Sequence, residues 1–334
     1  MKKLINDSRY VVEEMLEGYV KAHPNYIKQL PENARSLITA KETREGKVGV
    51  LIGGGSGHEP GFIGYVGDGM ADGVAVGNIF ASPSPDPILE VTKAIDKGAG
   101  VVYLYGNYAG DVMNFGMAAE MADLEDDIQV GMALATDDVA SAPKEEKEKR
   151  RGIAGEFFIY KAAGAAADFG YSLEDVVRVA DKANDNTRSM GVGLSPCSLP
   201  QTGEPSFEIG EDEMEIGLGH HGEPGIEKGP LQSADIVAER LVNDILADIE
   251  INRGDKVAVL VNGLGSTPRM ELYIVYRKIE QILSELGIEI YRSYVGDYIT
   301  SLEMGGASVT LMKLDEELIR AVDHPVDCPM FVQK

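Results

Sequence analysis

Val48-Gly49-Val50-Leu51-Ile52 is an unbroken apolar run, and it empties into Gly53-Gly54-Gly55-Ser56-Gly57-His58-Glu59-Pro60. A short run of this kind without alternation reads as a strand buried on both faces. The glycines after it read as a tight turn, because only glycine takes the dihedrals such turns need. They also bare backbone N–H groups beside one imidazole, an arrangement that suits a small ligand. Downstream, Gly73-Val74-Ala75-Val76-Gly77 reads as a short strand, and a helix is expected from about Pro87 to Lys97 with proline in its first turn. Gly100-Val101-Val102-Tyr103-Leu104-Tyr105 is the next strand; it ends on Gly106-Asn107-Tyr108-Ala109-Gly110-Asp111, before a helix from Val112 to about Ala122. Strand, turn, helix, strand, turn, helix is the grammar of a parallel sheet, whose ligands collect at the carboxyl ends of the strands. His58 and Asp111 both lie just past such ends, with Asp111 also placed to cap the helix after Gly110.

The same grammar extends along the chain. Residues 7 to 22 read as an amphipathic helix closed by His23-Pro24, and Ile128 to Leu134 as another strand. Lys144-Glu145-Glu146-Lys147-Glu148-Lys149-Arg150-Arg151 mixes signs and reads as a solvated loop or lid. Helices follow over 155–169 and 172–186, the second capped by Ser172. Gly191 to Pro200 is rich in glycine and proline and reads as a connector, so the expected domains are 1–190 and 191–334. The second would contain a helix from Ser233 to about Ile249, a strand from Lys256 to Val261 ending in Asn262-Gly263-Leu264-Gly265-Ser266-Thr267-Pro268, a helix over 270–286, and strands over 288–294 and 307–313. The fold class is therefore α/β: two α/β domains, each with a central, mostly parallel or mixed sheet flanked by helices.

Composition narrows the function. A formal net charge of −24 over 334 residues leaves no basic stripe to displace phosphate counterions, which argues against nucleic acid. It also disfavours anionic ligands, and with them a phosphosugar isomerase, and favours a neutral one. No apolar run approaches the length of a membrane span, and the N-terminus turns polar at once. Cys197 and Cys328 lie far apart with no zinc spacing, as expected of structural thiols in a cytoplasmic protein, and no metal site is expected.

Several motifs fail on inspection. Gly53 to Pro60 lacks the Gly-Lys-Ser/Thr of a Walker loop, carries His58 where a dinucleotide fingerprint needs glycine, and breaks the nucleophile-elbow pattern at the same position. His220-His221 cannot form the i, i+4 zinc face of a metalloprotease. What remains is a pair of similar turns, Gly57-His58-Glu59-Pro60 and His221-Gly222-Glu223-Pro224, which hold two of only five histidines. His23 and His324 each precede proline near a chain end and read as surface residues.

Gly54 to Pro60, Asn107 to Asp111 with Asn114-Phe115, Gly217 to Gly225, and Asn262 to Pro268 together resemble the signatures of the dihydroxyacetone kinase K subunit, in that family's order, over about residues 5 to 330. The resemblance implies that His221 binds a short-chain ketose covalently as a hemiaminal. Gly55, Ser56, Gly57 and His58 would grip its hydroxyls, with Gly106 beside them, and Asp111 would bind the hydroxyl that accepts phosphate. His221, His58 and Asp111 are thus the expected catalytic residues. The family's K subunit is a homodimer that carries no nucleotide; Mg with ADP or ATP sits on a separate L subunit, which a further M subunit recharges in phosphotransferase-system versions. This chain has no L-like segment and is expected to be incomplete as a kinase. Many family members carry lysine where this chain has Gly106, a change that implies room for a larger ketose such as an erythrulose, or a K-like sensor that binds ketose and acts as a coactivator.

Overall fold

The computed structural model describes residues 2–334; Met1, the first residue of the expected N-terminal domain, lies outside them. The chain forms two compact units. One comprises residues up to Leu134, Ile159–Lys182 and Arg320–Lys334; the other comprises Ala135–Phe158 and Ala183–Ile319. The chain thus passes between them several times, whereas the sequence reading places a single crossing after Met190.

The first unit is built on strands β1 (Ile27–Gln29), β2 (Ser36–Thr39), β3 (Gly49–Ser56), β4 (Gly73–Ile79), β5 (Val101–Gly106) and β6 (Val130–Ala135), in the order β1-β2-β4-β3-β5-β6. β3 pairs in parallel with both β4 and β5, while β1, β2 and the β2–β4 pair are antiparallel. Helix α1 (Val11–Ala22) precedes the sheet. Helices α2 (Pro85–Ile95) and α3 (Ala109–Asp126) bury Ile88, Val91, Phe115 and Ala118 with Leu51, Tyr103 and Tyr105 in one apolar cluster. Helices α4 (Glu156–Asp168) and α5 (Leu173–Asp185) follow, and Leu173 and Val177 of α5 pack against Gly131 of β6.

The expected glycine turn after Ile52 is strand: β3 runs on to Ser56. Gly53, Gly54 and Gly55 are needed for space and not for dihedrals. A Cβ on Gly55, for example, would lie 2.6 Å from the backbone nitrogen of Ala81. Only at Gly57, with φ +99°, does the chain enter the left-handed region.

The second unit is a mixed sheet of β7 (Thr187–Ser195), β8 (Glu213–Ile216), β9 (Glu227–Pro230), β10 (Lys256–Gly263), β11 (Glu289–Gly296) and β12 (Gly305–Leu314), ordered β11-β10-β12-β7-β8-β9. Only β10 and β11 run parallel among the pairs described. Helices α6 (Ala234–Asp248) and α7 (Arg269–Leu286) supply Leu241, Ile245, Leu272 and Ile279 to a core shared with Val259, Val261 and Val309. Helix α8 (Glu316–Asp323) and a two-stranded ribbon end the chain.

The expected connector at Gly191 is the inner strand β7, paired to β12 on one side and β8 on the other. Gly193 in it admits a neighbour that a larger residue would push away: Leu218 packs where a Cβ of Gly193 would stand. Among the described residues no helix is long and apolar enough to cross a membrane, and no group of His, Cys, Asp and Glu is placed to hold a metal ion.

Candidate functional site

In the first unit the candidate residues gather at one edge of the sheet. β3 pairs in parallel with β5 as far as Ile52 opposite Leu104 and with β4 as far as Ser56 opposite Ile79, so the carboxyl ends of β3 and β5 lie at the same end of the sheet. Gly55, Ser56, Gly57 and His58 continue from one strand; Gly106 ends the other, and Asp111 follows in the first turn of α3. Residues 77–83 touch both groups. The Ser56 hydroxyl donates to the Gly77 carbonyl (2.9 Å), the Phe80 N–H to the Ser56 carbonyl (3.0 Å), and the Asn114 amide of α3 to the Pro83 carbonyl (2.8 Å).

His58 is buried, with its ring 5.1 Å from that of Phe80 and 6.0 Å from that of Phe62. Phe80 holds φ +56°, an uncommon state for a bulky residue, which here sets its ring against the imidazole. Glu59 accepts the Gly57 N–H with both carboxylate oxygens (3.2 and 3.0 Å), and burial raises its pKa. Asp111 is buried as well. Burial, with the nearby Asp111 charge adding to it, pushes the Tyr105 phenol up to about 12. Asp111 does not cap α3: that position is Tyr108, and the carboxylate sits inside the first turn, where the helix dipole favours it.

In the second unit the turn after β8 presents His221. Its Nδ1 lies 3.0 Å from Oε1 of Glu223, whose Oε2 accepts the His221 backbone N–H (2.9 Å). The Arg151 guanidinium stands 3.8 Å from the same Oε2 and is itself anchored on Asp138 at 2.7 Å. Burial works against ionisation of Glu223, but the His221 hydrogen bond and the His221 and Arg151 charges outweigh it and hold the carboxyl well below the usual range. Burial pushes Asp138 up to about 6, against the Arg151 charge, which lowers it. An ionised Glu223 only accepts hydrogen bonds, so a neutral His221 ring must carry its proton on Nδ1. Nε2 then holds the lone pair.

Gly219 makes room for this assembly, since a Cβ there would stand 2.3 Å from Glu223 Oε2 and 2.4 Å from Arg151 Nη1. His220, the neighbour of His221, is buried, and its carbonyl accepts from the Ser301 hydroxyl.

The two Glu-Pro turns therefore share a device. In each, the glutamate accepts the backbone N–H two residues earlier, from Gly57 or from His221. Sequence reasoning quoted Glu223 but gave it no role, and it left Arg151 in a solvated tract. That tract holds a short 3-10 helix over Lys144–Lys149, but Arg150 and Arg151 are bound inward. The His-x-Glu spacing was the signal available for Glu223; nothing local pointed to Arg151. His324 is not a surface residue as expected: it is half-buried and lies 2.9 Å from Asp168.

Comparison with known proteins agrees along the whole chain. The model of the Dak1 domain matches residues 17–330. The chain is 48% identical over 331 residues to "PTS-dependent dihydroxyacetone kinase 2, dihydroxyacetone-binding subunit DhaK" of Listeria innocua serovar 6a, covering 99% of both chains. It is 43% identical to the L-erythrulose kinase of Pectobacterium atrosepticum, covering 99% of this chain but 56% of that one. Among solved structures, the "Dihydroxyacetone kinase operon co-activator Dha-DhaQ" superposes with a TM-score of 0.89 at 32% identity, over 96% of this chain and 98% of that one.

Proposed function

Since the chain belongs to the Dak1 domain family, we propose that it is the substrate-binding subunit of a dihydroxyacetone-type kinase, and that it holds a short-chain ketose on His221 for phosphoryl transfer. The observation that carries this reading is the His221–Glu223–Arg151–Asp138 chain. With Nδ1–H held by a carboxylate, Nε2 attacks the ketose carbonyl carbon and forms a C–N bond while the C=O π bond opens onto oxygen. The ring becomes cationic, Glu223 stabilises it, and the Nδ1 proton is released as the oxygen gains one. The product is a neutral hemiaminal, with no oxidant or leaving group required.

Covalent capture answers a problem that hydrogen bonds meet poorly. Dihydroxyacetone is small and neutral, and glycerol differs from it only by a reduced carbonyl; addition to the carbonyl rejects glycerol outright. Gly55, Ser56 and Gly57 bind the ketose hydroxyls. Asp111 and His58 orient and deprotonate the hydroxyl that accepts phosphate. Capture fixes that hydroxyl in place, and phosphoryl transfer depends mostly on such positioning. The nucleotide and Mg are carried by a separate L subunit, recharged by an M subunit where the phosphate comes from a phosphotransferase system. The chain acts in the cytoplasm as a homodimer.

A ketose-sensing coactivator is the second reading, and the likeness to a kinase-operon co-activator over nearly both full chains favours it. The absence of a side chain at Gly106 leaves room for an erythrulose in either role. Turnover separates the readings. The chain mixed with an L subunit and its phosphate donor yields ketose phosphate from dihydroxyacetone or an erythrulose if it is a kinase subunit. Ketose binding without product from either substrate would remove the kinase reading and leave the sensor.

A further inference from the structure

The stretch Asn262 to Pro268 contains none of the ketose-binding residues, yet each position from Asn262 to Thr267 meets the loop over residues 297–306. Asn262 is fully buried; its amide nitrogen donates to the Ile299 carbonyl (2.7 Å), and its amide oxygen accepts the Tyr298 and Ile299 N–H groups (2.9 Å each). A Cβ on Gly263 would stand 2.3 Å from Asp297 Oδ1, and one on Gly265 would stand 1.9 Å from the Leu302 carbonyl oxygen, so both glycines admit the loop. The Leu264 carbonyl accepts the Ser301 N–H (2.9 Å), and the Ser266 N–H donates to the Met304 carbonyl (3.1 Å). The Thr267 hydroxyl accepts the Gly306 N–H (2.8 Å) and donates to the Gly306 carbonyl (2.7 Å). Leu302 holds φ +53°, a state that persists in a leucine only where its surroundings over-determine it.

The loop so held reaches both neighbours of His221. The fully buried Ser301 donates its hydroxyl to the His220 carbonyl. That carbonyl belongs to the same peptide unit as the His221 N–H, which Glu223 accepts at 2.9 Å. A peptide unit is planar, so bonds at both of its ends fix its rotation, and with it the direction in which the His221 side chain leaves the backbone. On the other side, Glu303 accepts the Ser198 N–H (3.0 Å) and hydroxyl (2.8 Å). The segment that continues from Ser198 lays Ser206 and Phe207 against Gly222, within 2.9 and 3.1 Å of where a Cβ would stand. Glu223 lies in the same turn as His221 and orients the ring within it. Ser301 ties that turn to the loop between β11 and β12, and through Asn262 to β10.

We infer that Ser301 is a positioning residue for covalent capture, and that the stretch from Asn262 to Thr267 serves to hold it in place. The inference rests on the reading that His221 Nε2 adds to the ketose carbonyl. That addition needs the reacting atoms about 3–3.5 Å apart with the lone pair aimed at the carbon, and a misplacement of about 1 Å costs on the order of a hundredfold.

Three variants of the full chain test this. Ser301→Ala removes the hydroxyl, and Ser301→Cys keeps the volume with a weaker donor. Thr92→Ala is the control: in the other unit it removes an equally buried hydroxyl, bonded to the Ile88 carbonyl (2.7 Å) and the Tyr103 hydroxyl (2.6 Å). The probe is dihydroxyacetone labelled with carbon-13 at its carbonyl, titrated in and followed by NMR, which separates a carbonyl carbon from the tetrahedral carbon of a hemiaminal. Urea unfolding measures the stability of each variant alongside. Ser301→Ala should weaken capture by about tenfold and Ser301→Cys by less, while Thr92→Ala stays within about twofold of wild type although it also lowers stability. Capture by Ser301→Ala within twofold of wild type would overturn the inference. So would a loss of capture that simply follows the loss of stability across the three variants, since Ser301 would then be structural only. Should Ser301→Ala not fold, Ser301→Cys decides by the same comparison with Thr92→Ala. A wild-type chain that binds the ketose and shows no tetrahedral carbon would remove the His221 reading and this inference with it, a result read before any variant is made.

Discussion

Replacing Glu223 by glutamine tests the chemistry assigned to His221 without removing the histidine. Glutamine keeps the shape and an oxygen that accepts at 3.0 Å from Nδ1, but it loses the charge. A hydrogen bond to a charged group contributes about 1.5–3 kcal/mol and a neutral one about 0.5–1.5, so the change costs roughly 1–1.5 kcal/mol. The His221 and Glu223 side chains are 25% and 31% exposed, shielded enough for most of that difference to survive. Glutamine also turns its NH₂ toward Nδ1 in half of its orientations, which selects the wrong tautomer. Ketose affinity is therefore expected to fall by about tenfold at neutral pH.

The assay is calorimetric titration of dihydroxyacetone into the wild type and Glu223→Gln, with urea unfolding to show that the fold is intact. The pH dependence adds a sign. The folded pKa of Glu223 lies below the unfolded one, so what the carboxylate contributes is present above about pH 4.3 and lost only as pH falls through the folded value. Wild-type affinity should thus show no Glu223 inflection on going from about pH 8 to 5. Affinity of the variant within twofold of wild type would refute the reasoning, because it would mean that neither the charge nor the tautomer of His221 matters.

Two further outcomes follow. Gly219→Ala puts a methyl 2.3 Å from Glu223 Oε2 and 2.4 Å from Arg151 Nη1; it should lower ketose affinity about as far as Glu223→Gln, and combining the two should add little, because both act on one assembly. Asp248→Asn removes a carboxylate charge that binds both buried arginines, Arg150 (2.9 and 2.6 Å) and Arg188 (2.5 Å), so urea unfolding should show a loss of about 3–5 kcal/mol. Burial opposes ionisation of Asp248, but Arg150 and Arg188 depress its pKa; the stability it provides is present above the unfolded pKa near about 4 and disappears as acid titrates the folded group, so the gap between wild type and variant should close on acidification.

The sequence showed the architecture better than its seams. Continuous apolar runs such as Val101 to Tyr105 and Lys256 to Val261 marked parallel or central strands correctly, because burial on both faces leaves no alternation to misread. Ser172 was legible as a cap, and its hydroxyl accepts the Asp175 N–H at 3.2 Å. Glycine was the source of the main errors. Gly53 to Gly55 and Gly191 to Gly193 read as turn and linker, yet both lie in strands, where Gly53, Gly54, Gly55 and Gly193 admit a neighbouring chain or side chain. Local sequence gives glycine's permission to turn but not the neighbour that demands its bareness.

The site divides in the same way. Asp111 and His58 were legible as residues just past strand ends, since topology alone brings those ends to one edge. Glu223 was present in the quoted motif, but its bond to Nδ1 depends on a turn closed by the Gly219 N–H on the Glu223 carbonyl at 3.0 Å. Arg151 was hidden, because a charge run reads as solvated unless the buried carboxylates it reaches, Asp138 here and Asp248 for Arg150, are known. The C-terminal ribbon gave no periodic signal; its Asp327 exchanges backbone hydrogen bonds with Asp68 and accepts the Tyr26 hydroxyl at 2.8 Å.

The account turns on covalent capture by His221. A crystal soaked in dihydroxyacetone tests it most directly, because a hemiaminal that reverses on denaturation survives in the lattice. The expected result is continuous density from His221 Nε2 to the central carbon of the ketose, with Nδ1 still facing Glu223, and no such density in His221→Ala. Ketose bound with no density joining it to His221, or joined to a different residue, would contradict the account.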